Sequence, residues 1–268
     1  MNPYYPVPVK IKQIIPETPT ITTFILDGMP IQFAAGQFAE LTVPGAGEAP
    51  FTPSGSPFAK DLEFTIMKVG RVTDALFRLK PGDLVGVRGP FGKPYPLDAF
   101  KDKDVFIVGG GVGFAPLRSL FLALVKNLND YRRIYFRYGA RTPRDIVYQY
   151  LIPDWQKIEK VDLLMTVDVG DETWKGRVGV VTTILDVIPV DVKVTPTILC
   201  GPPLMMRFTT QRLVQAGFVD RNIYLSMEKN MSCGIGKCNH CRVGKYYCCK
   251  DGPVLTWDVV KDIEDPFL

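Results

Sequence analysis

Asp104-Val-Phe-Ile-Val108-Gly109-Gly-Gly-Val-Gly113-Phe-Ala-Pro116 is the stretch whose reading decides the fold. A continuous apolar run of strand length stops at a glycine loop. The loop opens onto Leu117-Arg-Ser-Leu120-Phe-Leu-Ala-Leu124-Val, which reads as an apolar helix. Pro116 suits the first position of that helix, where a missing amide costs nothing. Strand, glycine loop and helix together place free amides and the positive end of a helix where a pyrophosphate can approach. The glycines run Gly111-x-Gly113-x-x-Pro116, so the third glycine of the usual dinucleotide fingerprint is absent. Close approach by a phosphate to Gly110, Gly111, Val112 and Gly113, backed by Ala115 and Pro116, does not need it.

Downstream, strand patterns alternate with helix patterns. Strands are expected at Arg133–Tyr138, Asp162–Val167, Thr197–Cys200 and Asn222–Leu225. Helices are expected near Asp145–Leu151, over Val180–Val187 and over Leu204–Ala216. This order predicts a doubly wound parallel sheet. Cys200-Gly-Pro-Pro203 also follows a strand, so Cys200, Gly201, Pro202 and Met205 fall on the same ligand-binding edge as the glycine loop. Cys200 itself reads as a buried small hydrophobe, since no base stands beside it to activate a nucleophile.

Upstream, Val7–Ile11, Thr20–Leu26, Gln37–Val43, Glu63–Lys68 and Leu84–Arg88 are short strand-like runs between Gly and Pro turns. No long helical period separates them, which predicts a small antiparallel barrel. Three segments inside it stand out: Phe51-Thr52-Pro53-Ser54; Ile66-Met67-Lys68 leading through Gly70 and Val72 to Thr73; and Gly89-Pro-Phe-Gly92. A glycine followed by a threonine at a helix start can bind phosphate, although an ordinary turn has the same residues.

The C-terminal segment carries Cys233-Gly-Ile-Gly-Lys-Cys238-Asn-His-Cys241, then Cys248-Cys249-Lys-Asp-Gly-Pro. C-x4-C-x2-C with a further cysteine close behind is the spacing of a plant-type 2Fe–2S cluster. Four thiolates would also suit zinc, although zinc knuckles more often show paired C-x2-C. Neighbours in an extended chain point to opposite faces, so only one of Cys248 and Cys249 can reach the cluster. Cys249 leads directly into a turn, which makes Cys233, Cys238, Cys241 and Cys249 the candidate ligands. His240, the single histidine, is expected to sit behind the ligands or face solvent and not to ligate. Lys229, Lys237, Arg242, Lys245 and Lys250 surround this segment and could face an acidic partner.

The chain has 268 residues, enough for two small domains. Its 46% hydrophobic and 22% charged content is that of an ordinary globular protein, and a dispersed net charge of +4 gives no case for nucleic acid. Five of the six cysteines lie between 233 and 249, which is a metal pattern and points to a reducing compartment. No apolar run is long enough for a membrane span, and the N-terminus lacks a signal-peptide pattern, so a cytoplasmic protein is expected. The expected divisions are 1–100 (barrel), 101–227 (nucleotide sheet) and 228–268 (cluster segment).

In this order the three modules resemble the ferredoxin–NADP reductase family. Gly111-Val-Gly-Phe-Ala-Pro116-Leu-Arg-Ser and Cys200-Gly-Pro-Pro-Leu-Met205 are similar to its pyridine-nucleotide motifs. Gly70-Arg-Val-Thr73 and Gly89-Pro-Phe-Gly92 are similar to its FAD-barrel motifs. Cys233 to Pro253 resembles the branch with a C-terminal 2Fe–2S cluster. That branch includes the gamma subunit of soluble NiFe hydrogenases and the electron-transfer subunits of anaerobic sulfite reductase and dihydroorotate dehydrogenase. Glu48-Ala-Pro-Phe-Thr-Pro-Ser54 and the cysteine loop are most similar to the hydrogenase type.

The resemblance implies FAD, NAD(P)H and a 2Fe–2S cluster, with electrons leaving to the other subunits of a redox complex. The alternatives are an electron-transfer subunit of anaerobic sulfite reductase or dihydroorotate dehydrogenase, a stand-alone reductase of soluble carriers, and a zinc-stabilised binding module without redox function. The family's flavin loop carries Arg-x-Tyr-Ser; here the matching loop, Pro50 to Ser54, has no arginine, which puts more of the phosphate binding on the Gly70–Thr73 segment. No side chain is expected to act as an acid, base or nucleophile.

Overall fold

A computed structural model describes residues 3–185 and 189–267. The N-terminal third forms one antiparallel six-stranded sheet that curls into a barrel. Its strands are β1 (Val7–Pro16), β2 (Ile21–Leu26), β3 (Phe38–Val43), β4 (Gly47–Phe51), β5 (Leu62–Met67) and β6 (Leu84–Phe91), in the order β4-β3-β6-β1-β2-β5. The ten-residue β1 makes the curl possible: its first half pairs with β6 and its second half with β2. Inward positions supply Val9, Ile11, Phe24, Leu41, Phe64 and Val87, all buried in one cluster. One short helix, α1 (Arg71–Leu76), follows β5.

The second sheet has seven strands: β7 (Val105–Gly110), β8 (Ile134–Ala140), β9 (Val161–Val167), β10 (Arg177–Val178), β11 (Thr197–Cys200), β12 (Ile223–Ser226) and, from the C-terminal segment, β15 (Val254–Thr256). Their order is β10-β9-β8-β7-β11-β12-β15, parallel throughout except for β15, which runs antiparallel to β12. Successive residues of β7 serve opposite faces. Val105 and Ile107 join the core under α2 (Phe114–Lys126), while Phe106 and Val108 join the core under α4 (Pro203–Gln215). Both faces are therefore covered, as the apolar run at 105–108 requires. The small elements are α3 (Ile152–Trp155), the hairpin β13 (Arg242–Val243) with β14 (Tyr246–Tyr247), and α5 (Trp257–Val260). No helix among the described residues is long and apolar enough to cross a membrane.

Two expected helices change. Residues 145–151 form turns, and the helix is the short α3 that follows. The reason is tertiary: Tyr148 takes a positive φ of 58°, its amide donates to Glu17 Oε2 at 3.0 Å, and its hydroxyl donates to Thr65 Oγ1 at 2.6 Å. A left-handed tyrosine ends any helix through it. The helix expected over Val180–Val187 shrinks to a 3-10 turn at Val181–Ile184, in keeping with its β-branched Val-Thr-Thr run. Residues 186 and 187 of that expectation lie outside the described residues. Strand β4, which contains Pro50 and Phe51, occupies ground that reads as loop in the sequence.

Candidate functional site

The strand order turns back between β7 and β11: β8 lies on one side of β7 and β11 on the other. Crevices at such a reversal, outside the carboxyl ends of the strands, are where open α/β sheets bind ligands. Gly110 ends β7 and Cys200 ends β11, in adjacent register. A side chain on Gly110 would collide with Met205 Sδ, and one on Gly113 would collide with the Cys200 carbonyl. These two glycines are thus needed to fit the two loops together. Gly111, with φ +53° and open space at its Cβ position, is the one that faces outward. Tyr138 steadies the loop, its hydroxyl donating to the Gly111 carbonyl at 3.2 Å. Val112 is half-buried, Ala115 is buried, and Pro116 lies in the first turn of α2. Gly201 and Pro202 lead into α4 beside them. Burial pushes the Cys200 thiol up to about 12, so it is neutral and no nucleophile.

On the barrel side, Phe51 and Thr52 are half-buried, whereas Pro53 and Ser54 are buried. Ser54 is turned inward, its hydroxyl 2.9 Å from Thr65 Oγ1. Ile66 is buried in the barrel core, Met67 and Lys68 are exposed, and Val72 packs on the barrel. Thr73 differs from the expectation of a phosphate donor. Its hydroxyl accepts from the Val69 and Gly70 amides, each at 2.9 Å, and donates its one proton to the Gly70 carbonyl at 2.8 Å. Thr73 is a helix-capping residue in this structure, and the Gly70 amide is spent on it.

The two nucleotide-facing units are joined by a buried polar network that sequence reasoning missed. Arg118, two residues beyond Pro116, donates to the Ser54 carbonyl at 3.1 Å and to Glu63 Oε2 at 2.6 Å. Its guanidinium also lies 4.7 Å from the Tyr148 ring centroid. Tyr148, Ser54 and Thr23 converge on Thr65, and Thr23 passes its proton to Glu17 Oε1 at 2.7 Å. The sequence signal was a charged residue near the start of a mostly apolar helix.

The cysteine loop sits where the barrel meets the edge of the parallel sheet. Gly234 and Gly236, at φ +74° and +73°, turn the backbone so that its amides point at sulfur. Ile235 and Lys237 donate to Cys233 Sγ at 3.4 and 3.3 Å, and Gly236 donates to Cys249 Sγ at 3.0 Å. Burial opposes charge on Cys233, but the amides of Ile235, Lys237 and Cys238 outweigh it and hold the thiol down at about 6. Cys249 donates its amide to Cys241 Sγ at 3.5 Å. Cys238 neighbours the Cys233 thiol, and both Cys241 and Cys233 act on that of Cys249. Among the described residues no three metal-binding side chains converge on one ion's position. Neighbouring thiols with amides aimed at their sulfurs suit a cluster of two irons.

Cys248 is buried, and its thiol is pushed up to about 12, first by burial and then by Cys241. His240 Nδ1 lies 2.8 Å from Ser232 Oγ, which makes it a loop brace. Of the surrounding cations, Arg242 donates to the Gly244 carbonyl at 2.7 Å and the Lys237 ammonium lies 6.0 Å from the Tyr4 ring centroid.

Two stretches of the chain match known protein families. Residues 107–211 match the oxidoreductase NAD-binding domain, and residues 228–261 match the iron–sulfur cluster binding domain of dihydroorotate dehydrogenase B. The gamma subunit of sulfhydrogenase 1 of Pyrococcus furiosus is 40% identical, covering 85% of this chain and 81% of that one. A probable dihydroorotate dehydrogenase B (NAD(+)) electron transfer subunit of Methanocaldococcus jannaschii is 33% identical, covering 97% and 93%. Among solved structures, the NADH-dependent reduced ferredoxin–NADP oxidoreductase described for flavin-based electron bifurcation superposes with a TM-score of 0.77 at 26% identity, covering 94% and 91%. The chain therefore belongs to the family of sulfhydrogenase gamma subunits and dihydroorotate dehydrogenase B electron-transfer subunits, as an oxidoreductase that joins an NAD-binding domain to an iron–sulfur domain.

Proposed function

We propose that this subunit carries electrons between NAD(P)H and a hydrogenase-type complex, using FAD and one 2Fe–2S cluster. The observation that carries the reading is the attachment of the cluster loop. It is bonded to the barrel through Arg88, and the strand behind it is part of the nucleotide sheet. The three modules that would hold the carriers are thereby fixed to one another. When bound, FAD supplies the exchange between the two electrons of a hydride and the single electrons that a 2Fe–2S cluster accepts.

The rest is done by this chain's own residues. The divisions are 1–100 for FAD, 101–227 for NAD(P)H and 228–268 for the cluster. Gly111 and Val112, at the start of the 13-residue α2, present amides and a positive helix end to the dinucleotide phosphates. Cys200, Gly201, Pro202 and Met205 form the opposite wall and would orient the nicotinamide, so that orientation replaces acid–base chemistry. Phe51 and Thr52 are the parts of the flavin loop left to meet the isoalloxazine, because Ser54 is occupied in the interdomain network. The first-turn backbone of α1, and not the Thr73 hydroxyl, is the part of Gly70–Thr73 left to meet the flavin phosphates. Cys233, Cys238, Cys241 and Cys249 are the cluster ligands.

The partner is a hydrogenase-type catalytic assembly in the cytoplasm, on the strength of the 40% identity to a sulfhydrogenase gamma subunit. A dihydroorotate dehydrogenase complex is the second reading, favoured by the description of the matched iron–sulfur domain. Affinity purification of the tagged chain from its own cells separates the two. Hydrogen-dependent reduction of NAD(P)+ by the recovered complex supports the first. Orotate formation coupled to NAD+ reduction, without hydrogen uptake, overturns it for the second. FMN in place of FAD in the purified chain would refute the flavin assignment.

A further inference from the structure

Arg88 is the most heavily used polar side chain at the join between barrel and cluster loop. It lies in β6 and is 5% exposed. On one side its guanidinium grips Glu48 with two bonds, Nε to Oε1 at 2.7 Å and Nη2 to Oε2 at 2.6 Å. On the other it donates to the Cys233 carbonyl at 2.9 Å and to the Ser232 carbonyl at 2.7 Å. Below it Phe91 lies 5.2 Å from the guanidinium, and the Cβ position of Gly234 is 2.9 Å from the same ring. Glu48 is fixed in turn by Thr42, whose hydroxyl donates to Oε1 at 2.7 Å. Glu40, opposite Arg88 across the β3–β6 ladder, is fully buried with both oxygens unpartnered among the described residues. Burial holds its acid neutral to about 8, so it does not cancel Arg88 at neutral pH.

We propose that the Arg88–Glu48 pair is a built-in control of the reduction potential of the cluster on Cys233, with Arg88 as a positioning residue that also fixes the ligand loop to the barrel. This rests on the assignment of Cys233 as a cluster ligand. Reduction adds one negative charge to the cluster. A buried cation bonded to the backbone of a ligand stabilises the reduced form, and a carboxylate on the far side of that cation opposes it. Arg88 is buried and the Glu48 side chain is 26% exposed, so salt screens the pair less than the surface lysines of the loop.

The test is an EPR-monitored redox titration of the full-length, cluster-loaded protein. Iron and sulfide are counted first, because absence of a cluster in the unaltered protein would refute the ligand assignment and not the role of the pair. Arg88→Met should shift the midpoint to more negative values, and Glu48→Gln should shift it to more positive values. The double variant should lie between the two. Arg88→Lys, which keeps the charge but loses the fork, should lie nearer the unaltered protein than Arg88→Met. All shifts should persist at high salt. If Arg88→Met fails to hold iron, Glu48→Gln alone carries the sign test. A pair that only supports structure would move both midpoints the same way or not at all, and either result overturns the proposal, as does a Glu48→Gln midpoint that is unchanged or more negative.

Discussion

Two side chains at the cluster give opposite expectations for the same substitution. Cys249 Sγ receives the Gly236 amide at 3.0 Å, whereas Cys248 is buried beside it with its thiol pushed up to about 12, first by burial. Cys249→Ser should lose the cluster, and Cys248→Ser should keep its iron and its EPR signal. Iron retained by Cys249→Ser and lost by Cys248→Ser would reverse the ligand choice. Glu40 has a pH signature of its own. Burial raises its acid to about 8, against 4.5 for an unperturbed glutamate, with Arg88 pulling the other way. The folded protein then binds the Glu40 proton more tightly than the unfolded chain does. Its contribution to stability is complete below about pH 4.5 and is lost as pH rises to about 8. Melting temperature should fall across that window, and Glu40→Gln should flatten the fall. An unaltered slope in Glu40→Gln would place its origin elsewhere. Neither Glu40 nor Arg88 stood out in the sequence, because alternating polar positions in a strand normally face water, and here they face another segment of the chain.

The elements that carry nucleotide chemistry were the most legible. An apolar run ending in glycines can only be a buried strand meeting a ligand loop, and β7, its loop and α2 follow that pattern. Residues 145–151 were misread because Tyr148 obeys a partner, Glu17, that is 131 positions away. Strand β4 was missed since its Pro50 sits on an edge, where proline is tolerated. The role of Gly113 was legible as small but not in its reason. Its Cβ position is filled by the backbone of Cys200 and Gly201, so Gly113→Ala should destabilise the junction of the two loops by roughly 1–3 kcal/mol, the range for overpacking. Gly111→Ala has room for its methyl and bears only the strain of its positive φ, roughly 1 kcal/mol, so it should keep more of the stability while weakening NAD(P)H binding. Thermal melts together with the Michaelis constant distinguish them. Equal melting temperatures for the two variants would contradict the packing role of Gly113.

At the scale of the molecule, the sequence shows three modules but not what joins them. Arg118 bridges the nucleotide helix and the flavin loop with its side chain 12% exposed. Arg118→Met leaves the half-buried Glu63 without its cation, and should destabilise the protein by roughly 2 kcal/mol, the scale of a lost hydrogen bond to a charged group. It should also release the Phe51–Ser54 loop, seen as lower FAD retention on dilution. Unchanged FAD retention at a reduced melting temperature would confine Arg118 to stability. The barrel's last glycines show the same dependence: Gly92 has Pro253 and the Gly252 carbonyl where a side chain would be, and Lys93 donates to that carbonyl.

Strand β15 finally bears on how such a protein can change over evolutionary time. It caps the open margin of the parallel sheet, covering the peptide groups of β12 that would otherwise invite pairing with another molecule. Cutting the chain before residue 228 should therefore yield a protein that self-associates in light scattering, not a tidy two-cofactor reductase. A monodisperse, FAD-loaded fragment would show that the margin tolerates exposure. If it does not, the cluster cannot be gained or discarded as a cassette. A lineage that gives up its iron must keep the strand, and the electron path can be lost only by erosion of its cysteines while their scaffold stays.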